Sequence, residues 1–274
     1  AHRNDLHTAL LQVAHQYPGI TLAHNTEVTG VSVAGTTLTI NSGKSLQAKA
    51  IIAADGVNSI VRNTMHGGSR ASPGHTIYRA LVPVGSIPQG VELDVVTLWL
   101  YPGGHVVHYA VSNGELFNIV ASVVEGKTTP ATAFKLACRP LADVLDAQKT
   151  WTVWPAREVK PKPAWSRNHT LLIGDAAHAS LPYLAQGAAM ALEDACVLAI
   201  AIRNSREIET AFGNFAKARF ARASGIQKKS RQLGRIYHAR GLLRQARNLF
   251  LQRTSPQKFL DRLSWVYDWK IPKE

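Results

Sequence analysis

The segment 170–195, TLLIGDAAHASLPYLAQGAAMALEDA, constrains this chain more than any other. Its apolar opening, 170–173, reads as a short buried strand. The strand runs into Gly174-Asp175, and in open α/β sheets ligands bind outside the carboxyl ends of the strands. A tight turn with Asp175 and His178 follows, then a loop with Pro182, then a long Ala-rich helix opening at Gln186-Gly187. Because Gly187 has no side chain, the first amides of that helix can approach an electron-rich ligand closely. The helix dipole favours negative charge there.

Two further blocks accompany it. Residues 49–62, KAIIAADGVNSIVR, read as an apolar strand ending in Asp55-Gly56, with a turn holding Ser59 and Arg62. The opening, 2–7, is HRNDLH, with Arg3 at the start of a helix expected over 4–17 whose apolar stripe is Leu6, Leu10, Leu11 and Val13. In this order the three blocks resemble the FAD-dependent aromatic-ring flavoprotein monooxygenases, the family of salicylate, para-hydroxybenzoate and 3-hydroxybenzoate 6-hydroxylases. About twenty consecutive positions of 170–195 fit, which makes the match specific.

The resemblance implies FAD as cofactor, NAD(P)H as reductant and a small aromatic substrate, phenolic or hydroxybenzoate-like, hydroxylated with dioxygen. It implies that Asp175 accepts hydrogen bonds from the ribityl chain, where the bland alternative is a capping or turn Asp. Asp55 stands equally for cofactor proximity and for shaping its turn, anchored by Arg62. Arg3 is implied beside the flavin or its phosphates. The backbone of Val28 is implied at the adenine, against a plain core valine. Gln186, Gly187 and Ala188 are implied to face the flavin pyrimidine edge, where a helix N-terminus stabilises the charge of the reduced ring. Much of the family has Pro-x-x-Gly-Gln-Gly, whereas this chain has Ala185 before Gln186, which narrows the backbone choice there.

His105 and Tyr109 lie four apart on one expected strand and so share a face. They resemble the His and Tyr set against the substrate in 3-hydroxybenzoate 6-hydroxylase-like enzymes, where a His takes the phenol proton. The alternative is a pair of half-buried sheet residues. His108 points to the other face as a structural residue. Tyr183 borders the substrate site and offers a hydroxyl, and His178 lies near the flavin or braces its turn. There is no metal-ligand spacing, Ser-His-Asp pattern or phosphate-binding P-loop.

The expected fold is α/β: a Rossmann-like FAD/NAD(P)-binding domain, incomplete at its N-terminus, with an inserted antiparallel-sheet substrate domain and C-terminal helices. The spans are 1–66 and 151–204 for the FAD-binding domain, 67–150 for the sheet and 205–274 for a basic helical region; within them short strands are expected over 20–24, 26–34 and 36–40, two short helices over 131–147 broken at Pro140, an extended Pro-rich return over 151–165, and helices over 207–234, 236–252 and 256–268. No Gly-x-Gly-x-x-Gly turn for a dinucleotide pyrophosphate occurs in the 274 residues. Three explanations stay open: a fragment, which is favoured; residues left out of the numbering; or a missing N-terminal segment on a second chain. A cofactor-free binding module of the same fold, or an FAD oxidoreductase that does not hydroxylate arenes, are the alternative functions.

The net charge of +13 is uneven: 203–274 hold 17 Lys and Arg against 5 Asp and Glu. A solvated helical face or an acid-pairing surface is favoured over nucleic acid, since no stacking platform accompanies the charge. No apolar run is long enough for a transmembrane segment. Cys138 and Cys196 are far apart, which fits reduced thiols in a cytoplasmic protein.

Overall fold

The computed structural model describes residues 3–32, 34–67, 70–71, 74–126 and 129–272. The chain divides into two compact units. One comprises Ala1–His24, Gly74–Ala156 and Ile236–Arg244; the other comprises Asn25–Pro73, Arg157–Arg235 and Gln245–Glu274. No helix among the described residues is long and apolar enough to cross a membrane.

The first unit is built on a five-stranded antiparallel sheet. In spatial order its strands are Thr152–Pro155, His75–Pro83, Leu116–Val124, Gly104–Val111 and Thr97–Tyr101. The central strand, LFNIVASVV, is almost continuously apolar, as a strand buried on both faces must be. One face packs Ala80, Val82, Val106, Phe117, Ile119 and Ala121 against Phe134, Leu141, Val144 and Leu145. Those last residues come from the segment holding the helices Pro130–Ala133 and Arg139–Asp146. Pro140 does not break a helix there; it sits in the first turn of the second one, where its missing N–H costs nothing. Thr152–Pro155, expected as an extended return, pairs as an edge strand with His75–Pro83, and its proline falls at the end, where it disturbs no ladder.

The helix Arg3–His15 also belongs to this unit and forms as expected, with Asp5 in its first turn and His15 in its last. Its apolar stripe is not buried: no residue of the helix is, and Leu10 and Val13 are about half exposed. The Ser112 hydroxyl donates to Asp5 at 3.1 Å, tying the helix to the sheet.

The second unit holds a three-stranded sheet in which Ile51–Ala53 runs parallel to Thr170–Leu172, itself antiparallel to Ser166–Arg167. A small antiparallel meander, Val28–Val31, Thr37–Ile40 and Ser45–Gln47, belongs to the same unit. No strand forms over 20–24, where one was expected. The helix Gly187–Arg203 follows the acidic turn, and most of the 30-residue helix Ile208–Tyr237 packs in this unit. The stretch expected as one final helix is two short ones, Pro256–Asp261 and Ser264–Tyr267.

The units cut across the linear spans: besides the short boundary stretches 67–73 and 151–156, two differences are larger. Arg3–His15 groups with the antiparallel sheet, and the basic C-terminal region is shared between both units. Ion pairing accounts for the part of that region that belongs to the second unit. Arg219 and Arg222 bind Glu193 and Asp194, and Arg231 binds Glu158. Part of the C-terminal basicity therefore neutralises acids placed before residue 203.

Candidate functional site

The parallel pairing brings together two segments more than a hundred residues apart. Thr170 is in register with Ile51 and Leu172 with Ala53, and the Ile173 amide donates to the Ala53 carbonyl at 3.0 Å. Asp55-Gly56 and Gly174-Asp175 therefore emerge at the same carboxyl end of two adjacent strands. Arg62 holds the two turns to one another. Its guanidinium is buried and donates to the Val57 carbonyl at 2.6 Å and the Ala176 carbonyl at 2.7 Å.

The two carboxylates then differ. Asp55 is committed to its own fold: Oδ2 accepts from the amides of Ile60 at 2.9 Å and Val61 at 3.3 Å, capping the helix Ile60–His66 together with Ser59. Asp175 is exposed and has no hydrogen-bond or ion-pair partner among the described residues. It stands at the first position of the short helix Asp175–His178, an acceptor turned to solvent at a strand end.

The turn that carries Asp175 is held by groups that local reading of the sequence missed. Gly174 adopts φ 55°, ψ −140°, a conformation that L-residues with a Cβ avoid. Its amide donates to Asp194 Oδ2 at 2.8 Å, and His178 Nε2 meets the same oxygen at 2.6 Å. Asp194 Oδ1 accepts from Arg219 Nε at 2.8 Å, and Arg219 also binds Glu193, which Arg222 holds with two hydrogen bonds. Asp194 and Arg219 are fully buried. Burial alone raises the Asp194 pKa, but the hydrogen bonds and charge of His178, the Gly174 amide and Arg219 outweigh it and lower the pKa overall. Gln227 completes the support, donating to the carbonyls of Val159, His178 and Ala179. The only advance signal was the acidic pair Glu193-Asp194 inside an otherwise apolar helix.

Gln186 caps the helix Gly187–Arg203 without a side-chain bond; it is buried, while Gly187 and Ala188 are exposed with open space over Gly187. Ala185 takes a left-handed φ of 53°, the position where relatives were expected to carry Gly. Val28 opens its strand, half-buried, opposite Ile40.

Tyr183 is buried in the same unit, and its ring lies against Gly234. A Cβ at Gly234 would meet ring atoms of Tyr183, with Cδ2 at 2.7 Å. Gly234→Ala is therefore expected to cost about 1–3 kcal/mol through overpacking. Equilibrium denaturation checks this, and an unchanged midpoint would mean that the ring yields freely.

In the sheet unit, the face opposite the apolar core carries His105, Tyr109, Arg79, Asn118 and Ser122. Arg79 Nε donates to Asn118 Oδ1 at 2.6 Å. Arg3 and Arg79 line a hollow of about 520 Å³ with Leu81, Thr152 and Trp154, and two guanidinium groups there suit an anionic group. His108 is on the core face, accepting from the Trp99 indole at 2.8 Å, which gives it a structural place.

His105 is 5% exposed and its Nδ1 lies 2.8 Å from Nε2 of His238. His75 stacks on His238 with ring centroids 4.3 Å apart, and Tyr237 meets His105 edge-on. Burial first, then repulsion from His238 and His75, pushes the His105 pKa down to about 3. Burial, His75 and Arg240 push His238 to about 3 as well.

These shifts set the acid response. The unfolded chain protonates both rings near pH 6.5, while the folded chain keeps them neutral down to about pH 3. The unfolded state thus binds more protons in that window, and stability falls as pH falls through it. For His105 the loss is about 1.4 kcal/mol per pH unit. Denaturation at pH 7.5 and pH 4.5 measures it, and His105→Asn is expected to shrink the drop.

The family model for the FAD binding domain matches residues 2–205. The 3-hydroxybenzoate 6-hydroxylase of Polaromonas naphthalenivorans (strain CJ2) is 33% identical over 284 residues, covering 98% of this chain and 71% of the relative. The 3-hydroxybenzoate 6-hydroxylase 2 of Aquipseudomonas alcaligenes is also 33% identical, over 98% of this chain and 89% of the relative. A salicylate hydroxylase solved as a substrate complex superposes with a TM-score of 0.79 at 26% identity, over 98% of this chain and 73% of that one. An acidic turn at the ends of paired parallel strands, an uncapped helix N-terminus behind it and a sequence match across nearly the whole length agree: the chain belongs to the FAD-dependent aromatic-ring monooxygenases that share this FAD binding domain.

Proposed function

We propose that the protein hydroxylates a phenolic, hydroxybenzoate-like ring at the expense of NAD(P)H and dioxygen. The observation that carries the cofactor part is Asp175, an exposed acceptor without a partner among the described residues, at the end of a central parallel strand. The residues present fit the ribityl and ring portions of FAD. Asp175 would accept from ribityl hydroxyls, and the open amides of Gly187 and Ala188 would offset negative charge on the ring. Gln186 and the backbone of Val28 are assigned to cofactor contacts on the same reading, as is Arg3. Bound FAD supplies electron transfer from NAD(P)H and activation of dioxygen.

The chain's own residues do the rest. His105 is assigned to accept the phenol proton and leave the ring electron-rich; burial opposes the charged imidazole, so the proton is accepted only as the ring reacts. Tyr109, on the same face, orients the hydroxyl, and Tyr183 is assigned to the substrate by the same family reading. The free thiols of Cys138 and Cys196 suit a reducing cytoplasm.

The test is the visible spectrum of the purified protein after adding FAD and removing the excess, followed by turnover of 3-hydroxybenzoate and salicylate. Asp175→Ala is expected to weaken FAD retention at least about tenfold, the value of a lost hydrogen bond to a charged group. A product that gains one oxygen atom from dioxygen supports the hydroxylase reading. FAD retention with no hydroxylated product points to another oxidoreductase, and no retention at all overturns the cofactor assignment.

A further inference from the structure

One positively charged hollow in the second unit has no part in the hydroxylase reading. We propose that it binds a single monatomic anion of the halide class, held by the Trp165 indole N–H and His66 amid the charges of Arg62, Lys160 and Lys162. None of these residues is assigned to FAD or substrate, and the site stands whether or not the protein hydroxylates a phenol.

The hollow is assembled from distant stretches of one unit. The helix Ile60–His66 brings Arg62 and His66 to it, the segment 159–165 brings Lys160, Lys162 and Trp165, and the strand Thr170–Leu172 contributes Leu172. About 10 Å³ of room remains between them, enough for one particle the size of a water molecule. A tetrahedral oxyanion such as phosphate is too large for that space. A halide fits, because the hollow is partly open and lets a slightly larger sphere settle.

Trp165 is the main witness. It is 2% exposed, and its indole nitrogen is buried without a hydrogen-bond partner among the described residues. An indole N–H only donates, so whatever satisfies it is an acceptor, and leaving such a buried donor orphaned is costly. His66 Nε2 is a second buried ring nitrogen without such a partner. The charge around the hollow has one sign. Arg62, Lys160 and Lys162 line it, no acid among the described residues does, and Arg167 adds its charge at His66. Glu158, next in sequence, is engaged with Arg231 at 2.8 Å. A helix ends at His66, but the Asn63 carbonyl accepts from the Gly67 amide at 2.9 Å and the Met65 carbonyl from Arg167 at 3.4 Å. Lys160 and Lys162 are exposed, so they draw an anion in from solvent while the buried donor fixes its place.

A water molecule is the neutral competitor. It would satisfy Trp165 equally well but would leave the positive charges uncompensated. The two occupants differ in what they do to His66. Burial, with repulsion from Lys162 and Arg167, lowers the His66 pKa against the upward pull of the Ala164 and Met65 carbonyls. A negative ion beside the ring favours the imidazolium, so a bound halide raises that pKa again and a water molecule does not.

The experiment uses the full chain and bromide. Anomalous diffraction from crystals grown in bromide is expected to place an ion within hydrogen-bond distance of Trp165 Nε1. In solution, the broadening of the bromide resonance by the protein is expected to saturate. Trp165→Phe removes the donor and is expected to weaken bromide binding at least about tenfold. The double variant Lys160→Gln, Lys162→Gln changes only exposed side chains, so it should fold normally, and is expected to weaken binding at least about fivefold. The His66 ring is expected to titrate at higher pH in bromide than in gluconate of equal ionic strength, and to lose that difference in Trp165→Phe. Wild-type affinity in either variant overturns the proposal. So does an ion seen in the crystal without saturable binding in solution, which is binding at crystal concentration only. Density in the hollow with no anomalous signal assigns the place to water and overturns it as well.

Discussion

Asp194→Ala is expected to destabilise the flavin-binding unit by about 3–5 kcal/mol, the cost of leaving a buried charge without its partner. Asp194 has no exposure, and its two oxygens serve the Gly174 amide, His178 and Arg219. The buried set balances two carboxylates, Glu193 and Asp194, against two guanidinium groups, Arg219 and Arg222. Removing Asp194 alone leaves one positive charge in excess and strands the Gly174 N–H. Removing Arg219 as well restores the balance, because Glu193 keeps its two bonds to Arg222. The double variant Asp194→Ala, Arg219→Met is therefore expected to recover part of the loss. Because Asp194 also fixes the turn that presents Asp175, the single variant is expected to lose FAD before it unfolds. Chemical denaturation with and without FAD separates the two effects. A loss below about 1 kcal/mol in the single variant would show that the network contributes little net stability.

That network marks where the sequence stopped being legible. The strand, the acidic turn and the helix beginning at Gly187 were readable because each is dictated locally, by an apolar run, a Gly-Asp pair and an Ala-rich stretch. The antiparallel strands were readable for the same reason, from their Val and Ile content and the turns between them. Asp194 and Arg219 lie 25 residues apart on different helices, and nothing in either local sequence announces the pair. His238 was missed likewise: a histidine just past a helix end looks like a polar terminus until the fold sets it against His105. The errors have the same origin. Residues 20–24 have strand-like side chains but find no partner strand, and β propensity without pairing does not make a strand. Residues 152–155 were read as a connection because of their prolines and aromatics, yet they find an edge to pair with. Leu10 and Val13 form a helix stripe that local reading assigns to a core, but no described residue buries them. Of the two strand-end carboxylates, sequence alone could not tell that Asp55 caps a helix while Asp175 stays open.

His105→Asn is expected to lower turnover of 3-hydroxybenzoate by about 10²–10⁴-fold, the usual contribution of a positioned general base. Asn is close to imidazole in size and keeps a donor toward His238, so the hairpin and its neighbours should remain in place. FAD retention should not change, because the residues assigned to the ribityl chain and the ring, Asp175 and Gln186–Ala188, lie in the other compact unit. The loss should fall on kcat with KM little altered, since the phenol proton matters as the ring becomes nucleophilic rather than when it binds. The pH profile gives the sharper signature. His105 is neutral throughout the working range, so the wild type has no acid limb from this group near neutrality. The variant must draw on substrate that is already ionised in solution, and its residual rate should rise with pH toward the pKa of the phenol itself. A Tyr109→Phe variant, which removes a hydroxyl from the same face but no base, should show neither that profile nor a loss beyond about tenfold. If instead His105→Asn turns over at the wild-type rate with an unchanged profile, the proton leaves the phenol by another route and His105 is one more buried residue of the sheet.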